Sequence, residues 1–210
     1  MNLIIDTAHA SCSVGLFLGE ECVHLKAEVL QHGHASILPG MVRDVLLAKS
    51  QVQVANIIVN VGPGSFTGIR VGIAFAKGLA KGLGVPLWGV STFQALAQVI
   101  QPGNAALILV DAKRQDLYCQ FISESQEMSP PLNLTPTQLA AQFDLNNLLC
   151  VGNAVDQVKQ SLQRTLKSLP DEKPMVTLLN AAFQKGFAHT PANPFYLRSA
   201  DVTFSDRSKN

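Results

Sequence analysis

Charge is scarce in this sequence: Asp, Glu, Lys and Arg make up 15% of its residues and the formal net charge is +1. That is far from the strongly basic balance with which a free-standing nucleic-acid binder displaces counterions from phosphates. Cysteine is equally sparse. The four cysteines, Cys12, Cys22, Cys119 and Cys150, are widely spread, and the absence of a C-x-x-C pair or a regular framework points to reduced thiols of a cytoplasmic protein. No run approaches the roughly 20 apolar residues of a membrane span, and the opening Met-Asn-Leu-Ile-Ile-Asp lacks the basic start of an export signal. Neither H-x-x-x-H nor H-E-x-x-H occurs, so His32 and His34 alone make a weak metal site.

What is abundant is apolar surface. With 47% hydrophobic residues in 210, the chain buries a core without disulfides or metal, and its few charges leave apolar patches exposed for association. Apolar alternation predicts three strands within the first 29 residues, then a helix carrying Ile37, Leu38, Met41, Val42, Val45 and Leu46. Ser36 is its expected N-cap, which places Pro39 in the first turn; a start nearer His34 would instead make Pro39 a kink inside the helix. A buried strand over 55–61, a glycine-rich segment over 62–68 and a helix over 69–83 follow. A strand over 87–90 leads to Ser91-Thr92-Phe93-Gln94, which has capping-box form.

Pro102-Gly103-Asn104 marks the expected lobe boundary. This gives a first lobe over 1–103 and a second over 104–210, with the tail from about residue 190 packing back on the first. The second half reads as strands over 105–110 and 117–122, a loop at 129–131, a helix from Thr135, a strand over 148–151, and helices over 154–166 and 176–187. The order of three meandering strands, helix, strand, helix, strand, helix, followed by a shorter α/β half, suits an α/β, actin-like (ribonuclease H-like) two-lobed fold with mixed sheets.

Gly62-Pro63-Gly64-Ser65-Phe66-Thr67-Gly68-Ile69-Arg70 lies between a strand and a helix start, where exposed amides and the helix dipole favour an anion. No Gly-Lys-Ser/Thr closes it, so it is not a Walker A loop. A turn that needs glycine's backbone freedom is the competing reading. Asp6 and Thr7 end the first strand before a small-residue turn and admit either a metal-associated carboxylate with a phosphate-cradling loop, as in actin-like ATPases, or a capped hairpin. Ser65 lacks the flanking glycine of a nucleophile elbow, because position 63 is Pro63. Gly68, Gly72, Ala76, Ala80 and Gly84 recur every four residues, a small-residue stripe that fits either a helix lying close on its own sheet or a subunit interface.

Several segments together resemble the TsaB (YeaZ) family: Ile5-Asp6-Thr7-Ala8 with Cys12-Ser13-Val14, His34 with Ile37-Leu38-Pro39, the whole 62–70 signature, Gly89-Val90-Ser91-Thr92, Asp111-Ala112-Lys113, and Tyr196-Leu197-Arg198. The resemblance implies an actin-like partner subunit, not catalytic alone. It would assemble with the catalytic paralogue TsaD and the ATPase TsaE to transfer a threonylcarbamoyl group to the adenosine beside the tRNA anticodon, contacting tRNA only through that complex. It also implies a homodimer when alone, and a partner interface on the first two helices, carried here by Ile37, Leu38, Met41, Val45, Gly72, Phe75, Ala76 and Leu79. ATP or ADP near that joint would meet Asp6, Thr7, Gly64, Ser65, Thr67 and Arg70. An actin-like ATPase or kinase is the alternative, and a peptidase a weaker one.

Overall fold

A computed structural model describes residues 1–30, 32–48, 53–169, 173–189 and 191–197. The first lobe is a five-stranded mixed sheet of order β3-β2-β1-β4-β5, formed by β1 (Asn2–Asp6), β2 (Ser11–Leu18), β3 (Glu21–Val29), β4 (Asn56–Asn60) and β5 (Leu87–Val90). β1 pairs antiparallel with β2 and parallel with β4, and β4 runs parallel to β5. β1 and β4 are continuous apolar runs because both faces of the sheet are covered. Leu3, Ile5, Ile57 and Val59 point to one face, under α1 (His34–Leu47) and α2 (Phe66–Leu83); Ile4 and Ile58 point to the other.

The second lobe repeats part of this plan. Its four-stranded sheet has order β8-β7-β6-β9, from β6 (Ala106–Asp111), β7 (Leu117–Ile122), β8 (Leu132–Leu134) and β9 (Leu149–Val151), with β6 antiparallel to β7 and parallel to β9. The short helices α4 (Pro136–Gln142) and α5 (Val155–Leu162) cover one face through Leu139 and Val158, joined by Leu145 from the loop after α4. The other face joins the first lobe around α3 (Thr92–Leu96), whose expected capping box is present in full: Ser91 Oγ accepts from Gln94 N, and Gln94 Oε1 accepts from Ser91 N.

The chain then returns. α6 (Met175–Gln184) packs Val176, Leu178, Leu179 and Ala182 against Ile4, Phe17 and Ile58 of the first sheet. It is pinned by Asn180, which is 2% exposed and donates to Gly19 O at 2.8 Å while accepting from Asn2 at 3.3 Å. Asn2 in turn accepts from Asn56, and Asn56 from the indole of Trp88. Beyond α6, His189 bridges to Gly89 in both directions, and Phe195 N donates to Val61 O at 2.8 Å. The return therefore begins near Met175, earlier than the expected 190, because α6 carries the apolar face that the first sheet needs.

Other boundaries moved for local reasons. α1 starts at His34 after Gly33, whose φ is +96°, so Ser36 is inside the helix, its Oγ donating to Gly33 O, and Pro39 is an interior residue. α2 starts at Phe66, since Ser65 is the N-cap and accepts from Gly68 N at 3.2 Å. α5 and α6 are shorter than expected, and the three-residue β8 was not anticipated. Arg198 of the Tyr196-Leu197-Arg198 segment lies outside the described residues.

Candidate functional site: the inter-lobe cleft and the outer helix face

The glycine-rich segment is shaped by what it touches. A Cβ on Gly64 would lie 2.3 Å from Ala8 O, and one on Gly68 would lie 1.9 Å from Thr7 O, so backbone meets backbone where the loop crosses the β1–β2 turn. Ser65 N donates to Ala8 O at 2.7 Å, and the Thr7 hydroxyl donates to Gly68 O at 2.7 Å. Gly62 has φ +100° and precedes a cis peptide to Pro63. Beneath the loop sits a buried polar relay: Asp6 Oδ1 accepts from Ala8 N at 3.0 Å and from Asn60 Nδ2 at 2.8 Å. Asn60 Oδ1 accepts from Gly62 N, and the Thr92 hydroxyl reaches both Asn60 Oδ1 and, at 2.8 Å, Pro63 O. Buried polar groups stay satisfied this way.

The expected phosphate contacts are consequently divided. Gly64, Ser65 and Thr67 line a cleft of about 330 Å³ between the lobes. Asp6 instead lines a separate cavity of about 430 Å³ with His9, Ser11, Ser13 and Lys173. Thr7 is 1% exposed and lines neither, because its hydroxyl is spent on the helix start. Ser65 Oγ works as a helix cap, and no histidine lines the cleft among the described residues, so nothing here assembles a serine nucleophile.

Three of the motif segments singled out above converge on the cleft: the 62–70 loop, the β6–β7 turn at Ala112 and Lys113, and the tail at Tyr196 and Leu197. The turn is fixed by Asp111, whose Oδ1 accepts from Lys113 N at 2.6 Å and whose Oδ2 lies 2.8 Å from Lys113 Nζ. Arg70 stands at the rim with its guanidinium carbon 3.7 Å above the Phe66 ring, and its Nε donates to the Tyr196 hydroxyl at 2.9 Å. No acidic side chain lines this cleft among the described residues, while Lys113 and Arg114 do. Lys113 is ion-paired with Asp111, so its charge is partly neutralised where it meets the cleft.

The partner-interface expectation needs correction residue by residue. Leu38, Met41, Val45 and Ala76 are at most 3% exposed and belong to the chain's own core. A Cβ on Gly72 would lie 2.4 Å from Thr7 Oγ1. The stripe through Gly68, Gly72, Ala76 and Ala80 is therefore the seat of α2 on its sheet. Ile37, Phe75 and Leu79 keep part of their surface. The outward side of α2 carries Ala74, Gly78 and Gly82, all exposed, with nothing within 4 Å of a Cβ built on either glycine. Sequence spacing missed this second row because α2 has small residues on two sides. Among the described residues no group of three or more His, Cys, Asp or Glu converges, and no helix is long and apolar enough to cross a membrane.

A sheet of order 3-2-1-4-5, its truncated repeat, and a cleft between them define an actin-like α/β protein. The solved structure of ethanolamine utilization protein EutJ from Carboxydothermus hydrogenoformans shares this fold, with TM-score 0.54 at 9% identity, over 87% of this chain and 89% of that one. The family model for TsaD, tRNA N6-adenosine threonylcarbamoyltransferase, matches residues 26–132. The tRNA threonylcarbamoyladenosine biosynthesis protein TsaB of Haemophilus influenzae is 28% identical over 96% of this chain and 94% of its own length. Its Escherichia coli counterpart is 37% identical over 55% of this chain and 52% of its own. YeaZ from Pseudomonas aeruginosa superposes with TM-score 0.71 at 26% identity, covering 93% of this chain and 99% of that one. The chain belongs to the TsaB/YeaZ family.

Proposed function

We propose that this protein is a partner subunit, not catalytic alone, in the synthesis of threonylcarbamoyladenosine on tRNA, and that it works with TsaD and TsaE. The observation that carries the reading is the outer face of α2. Exposed Gly78 and Gly82 beside partly exposed Phe75 and Leu79 form a shallow apolar strip on which another helix lies close. A homodimer of this chain would use the same strip, so the catalytic partner competes with self-association. Ser65, the serine of the glycine-rich loop, has its Oγ engaged as the α2 cap, which counts against a peptidase nucleophile at that position.

The test is to mix the chain with its cognate TsaD, measure complex formation by light scattering, and assay threonylcarbamoyl transfer to tRNA with and without it. Gly78→Trp projects from the strip into open space, so it should abolish the complex while the fold survives. Undiminished association of that variant refutes the proposed face, and transfer that needs no help from this chain refutes the role. Lys113 and Arg114 beside the glycine-rich loop favour a second reading, an actin-like protein holding ATP or ADP in the cleft. Magnesium-dependent ATP turnover by the isolated chain would replace the partner role with that one.

A further inference from the structure

We propose that the mouth of the inter-lobe cleft is a contact for unpaired RNA, where a flipped-out base stacks on the Phe66–Tyr196 pair and its phosphate lies against Lys113. The proposal rests on the tRNA reading above. Phe66 and Tyr196 sit 5.0 Å apart between centroids, yet keep 38% and 39% of their surface open, and both line the cleft. Fully packed aromatic anchors would not remain so exposed. Arg70 covers Phe66 on one side and holds the Tyr196 hydroxyl, so the two rings are fixed before any ligand arrives. Lys113 is likewise held by Asp111.

Half-open rings beside Lys113 and Arg114, in a groove whose own lining carries no carboxylate among the described residues, are the chemistry that takes single-stranded nucleic acid, the RNA phosphate sharing Lys113 with Asp111. A duplex keeps its bases stacked and offers nothing to the rings. The protein's overall charge is close to zero, so the contact is local and salt-sensitive, one site on a larger bound RNA.

The experiment titrates the full chain with an RNA hairpin bearing an unpaired loop, a fully paired RNA of equal length, and free AMP, at about 50 mM and about 200 mM salt. The hairpin should bind most tightly. Phe66→Leu keeps apolar packing but removes the stacking face, and should weaken the hairpin by roughly 5- to 150-fold, the value of one lost base stack. Tyr196→Phe keeps the ring but loses the bond to Arg70 that holds it, and should weaken the hairpin less than Phe66→Leu does. Lys113→Gln should lower the slope of log affinity against log salt by about 0.7. Equal binding of paired RNA, an unchanged Phe66→Leu variant, or AMP binding as tightly as the hairpin each overturns the proposal. Circular dichroism confirms that each variant is folded. Light scattering with TsaD reads the partner role separately, so failure of one is not failure of the other.

Discussion

Gly68→Ala tests the reason for the glycine-rich segment. The added methyl carbon would lie 1.9 Å from Thr7 O, a backbone atom of a buried residue that directly follows the fully buried strand β1. Neither side yields cheaply, so the first turn of α2 must retreat by more than an ångström. That movement breaks the Thr7 hydroxyl bond to Gly68 O and the Ser65 cap on Gly68 N. Overpacking costs about 1–3 kcal/mol, a lost hydrogen bond and a lost cap about 1 kcal/mol each, and alanine returns at most about 1 kcal/mol of helix propensity. The expected net loss is roughly 2–4 kcal/mol. Gly78→Ala is the control: it lies mid-helix with open space around it and should gain up to about 1 kcal/mol. Urea denaturation followed by the fluorescence of Trp88, the sole tryptophan, measures both. A Gly68→Ala protein as stable as wild type would mean that the loop needs glycine for ligand access, not for close backbone packing.

Gly72→Leu should destabilise the isolated chain by more than 1 kcal/mol in the same assay, since it strikes Thr7 Oγ1; a fully stable variant with weakened dimerisation would restore the stripe as an interface. Thr92→Val should cost about 1–3 kcal/mol by leaving Pro63 O without its hydroxyl donor and Asn60 Oδ1 with Gly62 N alone, read as a lower urea midpoint. Cys12, Cys119 and Cys150 are buried and their thiols are pushed up to about 11, chiefly by desolvation, with Asp6 adding to the effect at Cys12. A folded pKa above the unfolded one favours the protein while thiols stay neutral, so this stability is complete below about pH 9 and is lost as pH rises toward 11. A thiol reagent at pH 8 should modify Cys22 quickly and the other three only on unfolding; rapid labelling of all four would contradict the burial.

The fold was legible in the sequence where periodicity and local chemistry agree. β1, β4, β6 and α2 are continuous apolar runs or strong helical patterns, and the Ser91–Gln94 capping box is purely local. What escaped was set by tertiary contact. Apolar residues at helical spacing on α1 and α2 mark the face toward the core, and nothing in the spacing of Leu38 or Ala76 separates a core from a partner. Asp6 and Thr7 stood out as a terminal pair, but their orientation depends on Asn60, Gly68 and Thr92, which come from three other segments. The three cleft motifs were each visible in the sequence. Their meeting in one pocket was not, because the lobes and the returning tail bring them together.

That return sets an order of events during synthesis. While the ribosome is still making the second lobe, the first sheet has its outer helices but not α6, so Ile4, Phe17 and Ile58 face water on the other side. The lobe therefore has no finished interior until residue 184 has been translated, and a fragment cut at 103 would be an open sheet prone to stick to its own kind. The boundary between lobes divides the molecule in space, yet the polypeptide folds as one unit, with α6 acting as the keystone of the first lobe.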